Sequence, residues 1–349
     1  MPNTHDTLVL TRRDVRALLS IEECIDAVEQ AFRHHAAEQT IAPGVLGTHV
    51  AGGGFHTKTA GLLGARSGER PTFVAKINAN FPANPTRHAL PTIQGVAVLF
   101  DAHDGRPLAV LDSIEITSVR TAAATAVAAR YLARTDASTV TVCGCGEQGR
   151  SQLRALMRVR PIRRAFAFDI DAARAEQYAG EMARELEIEV TPVRQLDDTT
   201  RQSDVWVTCT TARQWLVGRD HVRPGAFVAA VGADNPEKHE IEPELLAEST
   251  VVADVLDQCV SIGDLHHAIE RGVMRREQVH AELADIVSGR RRGRERDDEI
   301  IVFDSTGTAL EDVAAAKLVY ERALSTGAGM RVSFGALDDA PTDILRGIT

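Results

Sequence analysis

The spacing of apolar positions changes along the chain, and each change marks a different kind of structure. Between residues 11 and 37 these positions recur every three to four residues, which predicts one amphipathic helix that Thr11 can cap. From residue 41 to 110, glycines and prolines separate short apolar runs, such as residues 72–77 and 96–100. That pattern indicates the strands and turns of a mainly antiparallel sheet. An alanine-rich helix is predicted over residues 117–133.

After residue 138, continuous apolar runs alternate with helical stretches. The runs are residues 139–143, 165–168, 188–193, 205–209, 227–231, 251–253 and 300–303. Continuous runs are typical of parallel strands buried on both faces, and their alternation with helices is typical of repeated β-α units. A last helix is predicted over residues 309–324, followed by a short tail that is partly strand from Met330. The sequence therefore predicts an α/β protein.

Length and composition restrict the class of protein further. The 349 residues suggest about two domains, and the net charge of −10 argues against nucleic acid as the main partner. No apolar run approaches the ~20 residues of a membrane span, and the N-terminus lacks a secretory pattern, so no membrane partner is expected. The five cysteines are interpreted as reduced thiols, which favours a cytoplasmic location. No metal site is predicted.

The most specific chemical pattern is a glycine-rich turn after the first of these apolar runs. Gly144 permits a tight turn, Gly146 allows the backbone to approach a pyrophosphate, and Gly149 allows helix and strand to pack closely. The helix N-terminus that follows offers free N–H groups to phosphates. Asp169 lies 20 residues after Gly149, where a carboxylate binds ribose hydroxyls and repels a 2′-phosphate. The motif predicts a dinucleotide site that prefers NAD to NADP, and Asp171 could share the ribose contact.

Three charged residues outside the glycine-rich turn are candidates for chemistry. Arg120 lies in the alanine-rich helix among small residues that permit a ligand to approach, although such an arginine is often a surface group. Lys76 lies mid-strand between apolar neighbours. It is either an edge residue whose amine reaches solvent, or a desolvated amine with a lowered pKa that suits acid–base chemistry. Asp234 follows an apolar run, either at the carboxyl end of a parallel strand where ligands bind or as an ordinary turn aspartate.

Several motifs in a fixed order carry a resemblance to a known family. They are AKI at residues 75–77, NFPANP at 80–85, LPTIQG at 90–95, RTAAA at 120–124, GCGEQ at 144–148, VGAD at 231–234 with Lys238, FDSTG at 303–307 and LED at 310–312. Singly these are modest signals, but in this order they are specific. The chain resembles the ornithine cyclodeaminase/mu-crystallin family over nearly its whole length.

The resemblance implies an architecture and a chemistry. A Rossmann dinucleotide-binding domain, residues 122–309, is inserted in an α+β substrate-binding and dimerisation domain made of residues 1–121 and 310–349, and a homodimer is expected. Members move a hydride between the α-carbon of an amino acid and NAD(H) or NADP(H), through an imino acid. Ornithine is cyclised to proline with loss of ammonia, other amino acids are deaminated to keto acids, and some members reduce imines.

The resemblance also assigns roles to individual residues. Lys76 matches the substrate-site lysine, Arg120 the carboxylate-binding arginine, and Asp234 the aspartate that orients the attacking amine in cyclodeaminases. The turn at residues 305–307 (Ser-Thr-Gly) matches the stretch that meets the nicotinamide. The predicted catalytic residues are therefore Lys76 and Asp234. The predicted NAD(H) contacts are Thr121, Gly144, Gly146, Glu147, Gln148, Gly149, Asp169, Thr306 and Gly307.

One departure from the family pattern concerns the basic residues. The family often has an arginine after a proline near residue 43, but here Pro43 is followed by Gly44. Only four of the 39 basic residues are lysines, and one of them, Lys58, stands where the cyclodeaminase pattern is apolar. We hypothesise that Lys58 takes over part of the substrate-carboxylate contact, with His56 also in reach of the pocket; otherwise Lys58 faces solvent. This difference leaves ornithine specificity open.

Two classes of function remain after these arguments. The first is an NAD-dependent enzyme that dehydrogenates or cyclodeaminates a small L-amino acid, or reduces the imine in the reverse direction. The second is a non-catalytic NAD(P)H-dependent protein that binds a small ligand, as mu-crystallins do. The presence of Lys76, Arg120 and Asp234 together argues against this second class.

Overall fold

The computed structural model describes residues 6–64, 69–197 and 200–334. The first part of the chain forms β1 (Thr7–Leu10), α1 (Arg12–Leu18), α2 (Ile21–Ala36), β2 (Thr40–Val50), β3 (Gly53–Leu62), β4 (Thr72–Asn80), α3 (Asn84–Arg87), β5 (Ile93–Asp101), β6 (Pro107–Asp112) and α4 (Ser113–Leu132). The middle part forms β7 (Thr139–Cys143), α5 (Glu147–Leu156), β8 (Arg164–Phe168), α6 (Ala172–Leu186), β9 (Glu189–Val193), β10 (Val205–Thr208), β11 (Phe227–Ala230), α7 (Pro243–Glu248), β12 (Thr250–Ala253), α8 (Leu256–Ile262), α9 (Asp264–Glu270), β13 (Ala281–Glu282), α10 (Leu283–Ser288) and β14 (Ile301–Asp304). The chain then forms α11 (Ala309–Thr326) and β15 (Met330–Val332).

The N-terminal helical segment differs from its prediction. The structure has two helices, α1 and α2, in place of one, because the backbone at Leu19 is extended (φ −108°, ψ 100°). A capping box at Thr11 starts α1, and the Ser20 side chain caps α2 by accepting from the Glu23 amide at 3.3 Å. Leu18 and Leu19 are both buried, so the apolar spacing continues through the break. A hydrophobic period alone does not reveal such a break.

Among the described residues, sheet 1 has seven strands in the order β15-β1-β6-β5-β4-β3-β2. Neighbouring strands from β2 to β6 are antiparallel, which confirms the prediction, whereas β1 runs parallel to β6. One face of sheet 1 packs on α11 and is fully buried at Ala60 and Val74. The opposite face leaves Leu46 and Val96 65 % and 44 % exposed. Sheet 1 therefore has a buried face and an apolar face that the described residues leave exposed.

Sheet 2 has eight strands in the part of the chain that the structure describes, in the order β13-β12-β14-β11-β10-β7-β8-β9, and its described strand pairs are all parallel. Every residue of β10, β11 and β14 is buried, as predicted, whereas the edge strand β9 has no buried residue. The two-residue β13 was not predicted, because it is too short to leave an apolar run. Strands β7, β8 and β9 follow one another toward one edge of sheet 2, whereas β10 lies on the other side of β7. The order of the strands therefore reverses between β7 and β10. Ligands bind at the carboxyl ends of the strands at such a reversal.

Sheet 2 is inserted between the N-terminal elements and the pair α11 and β15, both of which return to sheet 1. Helix α4 packs on both α2 and α5, so the proposed domain boundary between residues 121 and 122 lies within one continuous helix. Of the proposed first domain, residues 1–5, 65–68 and 335–349 lie outside the described residues. Within the described ranges, no helix combines the length and apolarity needed to cross a bilayer.

Candidate active site

A cavity of about 230 Å³ lies between the two sheets, next to the strand reversal of sheet 2. Its walls come from β3, β4 and β5 of sheet 1, from α4, and from the segments that follow β7, β10, β11 and β14. Nine predicted site residues line it, namely His56, Lys58, Lys76, Arg120, Thr121, Gln148, Asp234, Thr306 and Gly307. The tertiary structure thus gathers residues from widely separated chain segments around one small space.

Lys76 and Arg120 share the buried carboxylate of Asp312 in the first turn of α11, and Arg120 also pairs with the neighbouring Glu311. Lys76 Nζ lies 2.7 Å from Asp312 Oδ1 and also donates to Thr117 Oγ1 at 3.2 Å. Arg120 Nη1 lies 2.6 Å from Glu311 Oε2, and its Nε lies 2.9 Å from Asp312 Oδ1. The four charged side chains are at most 4 % exposed. Asp312 therefore holds both cations in one arrangement.

Glu311 and Asp312 received no role from the sequence alone, although a signal for them was present. Both are acidic residues inside a largely apolar predicted helix, and both are fully buried. Glu311 Oε1 also accepts from the Thr308 amide at 3.2 Å, in the capping box of α11. Acidic side chains in a first helical turn interact favourably with the positive end of the helix dipole. Adjacent acids in an apolar helix thus indicate counter-ions of buried cations.

Burial and neighbouring charges set the protonation states of this cluster. Burial, followed by the charge of Arg120, lowers the pKa of Lys76 to about 7 despite the attraction of Asp312. Burial also disfavours the charged form of Arg120, but Asp312 and Glu311 outweigh it and raise the pKa of the guanidinium. Burial opposes ionisation of Asp312, but Arg120 and Lys76 lower the pKa of this carboxyl. Lys76 can therefore gain or lose a proton near neutral pH, whereas Arg120 stays charged.

Lys58 lies on β3 directly opposite Lys76 on β4 and is 7 % exposed. Its Nζ donates to the main-chain carbonyls of Thr306 and Gly307 at 2.9 and 2.7 Å. Across the described residues, these neutral acceptors are its hydrogen-bond partners, and no carboxylate forms an ion pair with it. Burial, then Arg120, lowers the pKa of Lys58. A desolvated ammonium that has only neutral acceptors on a cavity wall is suited to bind an anion.

The strand register shows where Gly44 lies relative to Lys58. Gly44 on β2 pairs with Thr59, and the residue of β2 opposite Lys58 is Val45. Because directly paired residues project to the same face of a sheet, Gly44 lies on the face opposite to Lys58. A Cβ atom at Gly44 would lie 2.9 Å from Thr59 Oγ1. Strand β2 therefore places Val45 beside Lys58. The two lysines in this part of the cavity wall, Lys58 and Lys76, come from β3 and β4.

Asp234 follows β11 at the edge of the cavity, where its side chain is 48 % exposed. Its Oδ1 lies 2.7 Å from Lys238 Nζ, which also donates to the Gly232 carbonyl at 3.0 Å. Partial removal from water disfavours ionisation, but the ammonium groups of Lys238 and Lys58 outweigh it and lower the pKa of Asp234. Burial lowers the pKa of His56. At neutral pH, this edge thus carries an ionised carboxylate and a neutral imidazole.

The glycine-rich turn after β7 has the geometry of an anion cradle. Gly144 has φ +102°, and a Cβ atom there would lie 2.7 Å from the Cys209 carbonyl oxygen. A Cβ atom at Gly149 would lie 2.2 Å from the Gly144 carbonyl oxygen, whereas one at Gly146 would meet nothing within 4 Å. Gly146 is the N-cap of α5, and no side chain caps that helix. The first amides of α5 therefore suit an anion such as a pyrophosphate.

Asp169 and Asp171 are distinguished by their contacts. Asp169 follows β8, and its Oδ2 accepts from the Cys145 amide of the glycine-rich turn at 2.9 Å. Asp171 is the N-cap of α6, and its Oδ1 accepts from the Ala173 amide at 3.1 Å. The carboxylate at the glycine-rich turn is therefore that of Asp169. Glu147 is exposed at the start of α5, outside the cavity lining.

A parallel sheet with a glycine-rich turn, joined to a cation-lined cavity, defines a Rossmann-type protein with an adjoining site for a small anion. The chain belongs to the ornithine cyclodeaminase/mu-crystallin family, whose model matches residues 5–327. It is 36 % identical over 330 residues to an alanine dehydrogenase of Archaeoglobus fulgidus, and the match covers 94 % of this chain and 99 % of that protein. The predicted family is thereby confirmed.

Solved structures show the same architecture. An archaeal alanine dehydrogenase dimer with bound NAD matches with a TM-score of 0.89 at 36 % identity, over 94 % of this chain and 99 % of that chain. A Δ1-pyrroline-2-carboxylate reductase of Thermococcus litoralis, in complex with NADH and L-proline, matches with a TM-score of 0.88 at 34 % identity. That match covers 93 % of this chain and 100 % of the reductase. The predicted α/β fold with a Rossmann domain is confirmed.

Proposed function

We propose that this protein is an NAD(H)-dependent enzyme that oxidises a small L-amino acid or reduces the corresponding imino acid. The observation that carries the proposal is the buried amine of Lys76, with a pKa of about 7, beside the guanidinium of Arg120 in one cavity. Such an amine can take and return a proton, and an arginine can hold a carboxylate. The similarity to an alanine dehydrogenase and to a pyrroline-2-carboxylate reductase bound to L-proline supports this assignment.

The glycine-rich turn is proposed to hold the pyrophosphate of NAD(H) at the start of α5, with Asp169 at the adenosine ribose. Thr121, Gln148, Thr306 and Gly307 line the adjoining cavity and are the proposed contacts of the nicotinamide half. When bound, NAD(H) accepts or supplies the hydride. The open space at the turn and the uncapped start of α5 support this fit, as do the relatives crystallised with NAD and NADH.

The substrate carboxylate is proposed to bind between Arg120, Lys76 and Lys58. Arg120 keeps its charge because two carboxylates stabilise it. Lys58 contributes a second cation, whose present partners are neutral carbonyls. Charged donors on two sides of a carboxylate fix its orientation as well as its position. The α-carbon is then held in one pose relative to the glycine-rich turn.

Lys76 is proposed to handle the proton of the α-amine. In the oxidative direction the amine must be neutral before a hydride leaves, and the uncharged Lys76 accepts the proton. In the reductive direction the charged Lys76 returns it. Asp312, 2.7 Å from Lys76 Nζ, keeps the amine in position during both steps. Asp234 is the second candidate for the base.

Cyclodeamination of a diamino acid is the second candidate function, and Asp234 favours it. The side chain is an ionised carboxylate at the cavity edge, where it can orient a second amine of the substrate. The third possibility, a small-ligand-binding protein without turnover, is disfavoured because Lys76, Arg120 and Asp234 all line the same cavity.

A substrate screen followed by NADH absorbance tests the proposal. Amino acids are offered with NAD⁺, and keto acids are offered with ammonia and NADH. Net NADH formation from an amino acid is the expected result and identifies a dehydrogenase. Ammonia release without net NADH identifies cyclodeamination. Tight NADH binding without turnover of any substrate would contradict an enzyme.

Replacing Asp169 by serine is expected to reduce the preference for NADH over NADPH by about tenfold or more. The carboxylate binds ribose hydroxyls and repels a 2′-phosphate, so its loss favours the phosphorylated cofactor. Fluorescence titration of both cofactors measures the ratio of the two Kd values. Asp171→Ser is the matched control, since Asp171 caps α6. An unchanged ratio in D169S would refute the ribose contact.

Replacing Lys58 by methionine is expected to raise the KM for the substrate by at least about tenfold, with a smaller change in kcat. A charge-assisted hydrogen bond contributes about 1.5–3 kcal/mol, and methionine keeps the length of the side chain. Steady-state kinetics provide the measurement. Lys317→Met is the control, because Lys317 pairs with Glu69 and lies outside the cavity lining. If K58M leaves the KM unchanged, Lys58 does not hold the carboxylate.

The exposed face of sheet 1 is proposed to form the interface of a homodimer. It carries Leu46, Phe55, Ile77 and Val96, which are 40–65 % exposed, and contiguous apolar patches of this kind mark interaction sites. The alanine dehydrogenase relative is a dimer. Sedimentation is expected to give twice the chain mass of 37.7 kDa, and Leu46→Glu is expected to give monomers. Leu324→Glu, at an exposed position of α11, should leave the dimer intact, and dimeric L46E would contradict this interface.

The cytoplasm is the proposed location of the protein. All five cysteines are free thiols, and four of them are buried. Free thiols are typical of a reducing compartment.

A further inference from the structure

Asp254 follows β12 and is a fully buried carboxylate outside the cavity lining. Its Oδ2 accepts from the Gly307 amide at 2.7 Å and from the Ser305 hydroxyl at 3.2 Å. Its Oδ1 accepts from the Val255 amide at 2.6 Å and from the Thr306 hydroxyl at 3.4 Å. One carboxylate therefore bonds to three consecutive residues of the turn 305–307.

The same turn contacts two cations of the cavity. Its carbonyls at Thr306 and Gly307 accept the bonds from Lys58 Nζ. Gly307 has φ +76°, and a Cβ atom there would lie 2.5 Å from Arg120 Nη1, so the guanidinium packs directly on the Gly307 backbone. Displacing the turn would move the acceptors of Lys58 and the wall beside Arg120 together. Misplacement by about 1 Å is enough to impair a binding or catalytic group.

Other buried carboxylates of this region hold different segments. Glu240 accepts from the Thr210 and Gly232 amides at 2.6 and 2.8 Å. Asp264 is fully buried and accepts from the Glu240 amide at 2.7 Å. Neither side chain has a described bond to the turn 305–307, whereas Asp254 has three. Asp264 is therefore a control of the same residue type and burial for Asp254.

We propose that Asp254 is a positioning residue for the carboxylate-binding end of the cavity. It holds the turn 305–307, and the turn sets the positions of Lys58 and Arg120. The proposal rests on the proposed function, because it names what keeps the carboxylate-binding cations in place. The negative charge of Asp254 also favours the charged forms of both cations. Asp254 acts through these residues and does not itself touch the substrate.

The test compares equilibrium binding in wild type and Asp254→Asn. Asparagine has the same size but loses the charge and places an amide NH₂ against donors. The probe is pyruvate, added by calorimetry to the NADH-loaded protein without ammonia, so that no turnover occurs. We expect D254N to bind pyruvate at least about tenfold more weakly, with the Kd for NADH changed less. Asp264→Asn should bind pyruvate as wild type does.

A double-mutant cycle shows whether Asp254 acts through Lys58. If it does, D254N adds little to the loss already caused by Lys58→Met, because coupled residues are not additive. Ser305→Ala removes one bond to Asp254 and keeps the charge. It is expected to weaken pyruvate binding in the same direction by a smaller factor, and it keeps the test valid if D254N folds poorly.

The outcomes separate this proposal from the proposed function. Weak pyruvate binding in D254N and S305A, with normal binding in D264N and non-additivity with K58M, supports the role of Asp254. Equal pyruvate affinity in wild type, D254N and S305A overturns it, as does full additivity with K58M. Failure of the wild-type, NADH-loaded protein to bind pyruvate would instead count against the carboxylate site and hence against the proposed function.

Discussion

Replacing Lys76 by methionine is expected to lower kcat by about 10²–10⁴-fold, the range typical of a lost general acid–base group. Methionine keeps the length of the side chain but cannot take a proton from the α-amine. Asp312 retains Arg120 as a partner, 2.9 Å away, so the surrounding charges remain compensated. Steady-state NADH absorbance with the best substrate from the screen measures the effect. A K76M variant within about tenfold of wild type would mean that another group moves the proton.

Lys76→Arg separates the charge of Lys76 from its titration. Arginine is permanently charged, so K76R is expected to bind pyruvate and yet turn over as poorly as K76M. Recovery of turnover in K76R would show that only the charge matters. The two variants together therefore distinguish a base from an electrostatic anchor.

The pH dependence of the wild-type protein follows from the lowered pKa of Lys76, about 7 in the folded protein. Lys76 is neutral above this pH, so kcat/KM for amino-acid oxidation should rise as the pH increases through about 7. Imine reduction needs the charged form and should fall over the same interval. Both inflections should disappear in K76R, because arginine does not titrate there. An inflection near pH 7 that survives in K76R would belong to another residue.

Replacing Arg120 by methionine is expected to destabilise the protein by about 3–5 kcal/mol, the usual cost of removing one partner of a buried ion pair. Glu311 and Asp312 are fully buried, and Arg120 contacts both of them. Without the guanidinium, Glu311 loses its ion-pair partner among the described residues, and Asp312 keeps only Lys76. Thermal unfolding measures the loss, and substrate affinity should fall as well because the carboxylate clamp is gone.

The pH dependence of this destabilisation has a defined sign. Arg120 and Lys76 lower the pKa of Asp312 in the folded protein, so this carboxyl contributes stability above its ordinary pKa, and the contribution is lost as the pH falls. In Arg120→Met, protonation of Glu311 and Asp312 removes their uncompensated negative charges at low pH. The difference in Tm from wild type should therefore shrink toward acidic pH. Arg120→Lys keeps one charge without the planar fork and should lie between wild type and R120M. A difference in Tm that grows on acidification would contradict this assignment.

Much of sheet 2 was predictable because its strands are buried on both faces and leave continuous apolar runs in the sequence. The glycine-rich turn was predictable for a similar local reason, since close backbone approach at Gly144 and Gly149 demands residues without a Cβ atom. The break at Leu19 was not, because Leu18 and Leu19 both remain buried and the apolar period is uninterrupted. Local patterns report burial well and changes of chain direction poorly.

Local pattern could not show which cations the buried acids of α11 pair with. Lys76 and Asp312 are 236 residues apart in the chain, and Arg120 and Glu311 are 191 apart. The contact of Lys58 with the turn 305–307 spans 248 residues or more. Such pairs form because α11 returns to sheet 1 after the whole of sheet 2 has been built. Sequence motifs indicate that these residues matter without showing what each one touches.

The sequence by itself determined the family, the parallel sheet with its glycine-rich turn, and the identity of the cavity's charged residues. Tertiary structure alone decided which residues meet. Strand pairing placed Val45 rather than Gly44 opposite Lys58, because a shift of one residue in register moves a side chain to the other face of a sheet. The fold also buried Lys76 beside Arg120 and Asp312, and that burial lowers the pKa of the amine to about 7. Desolvation and long-range pairing exist only in the folded chain, so they could not be derived from the sequence residue by residue.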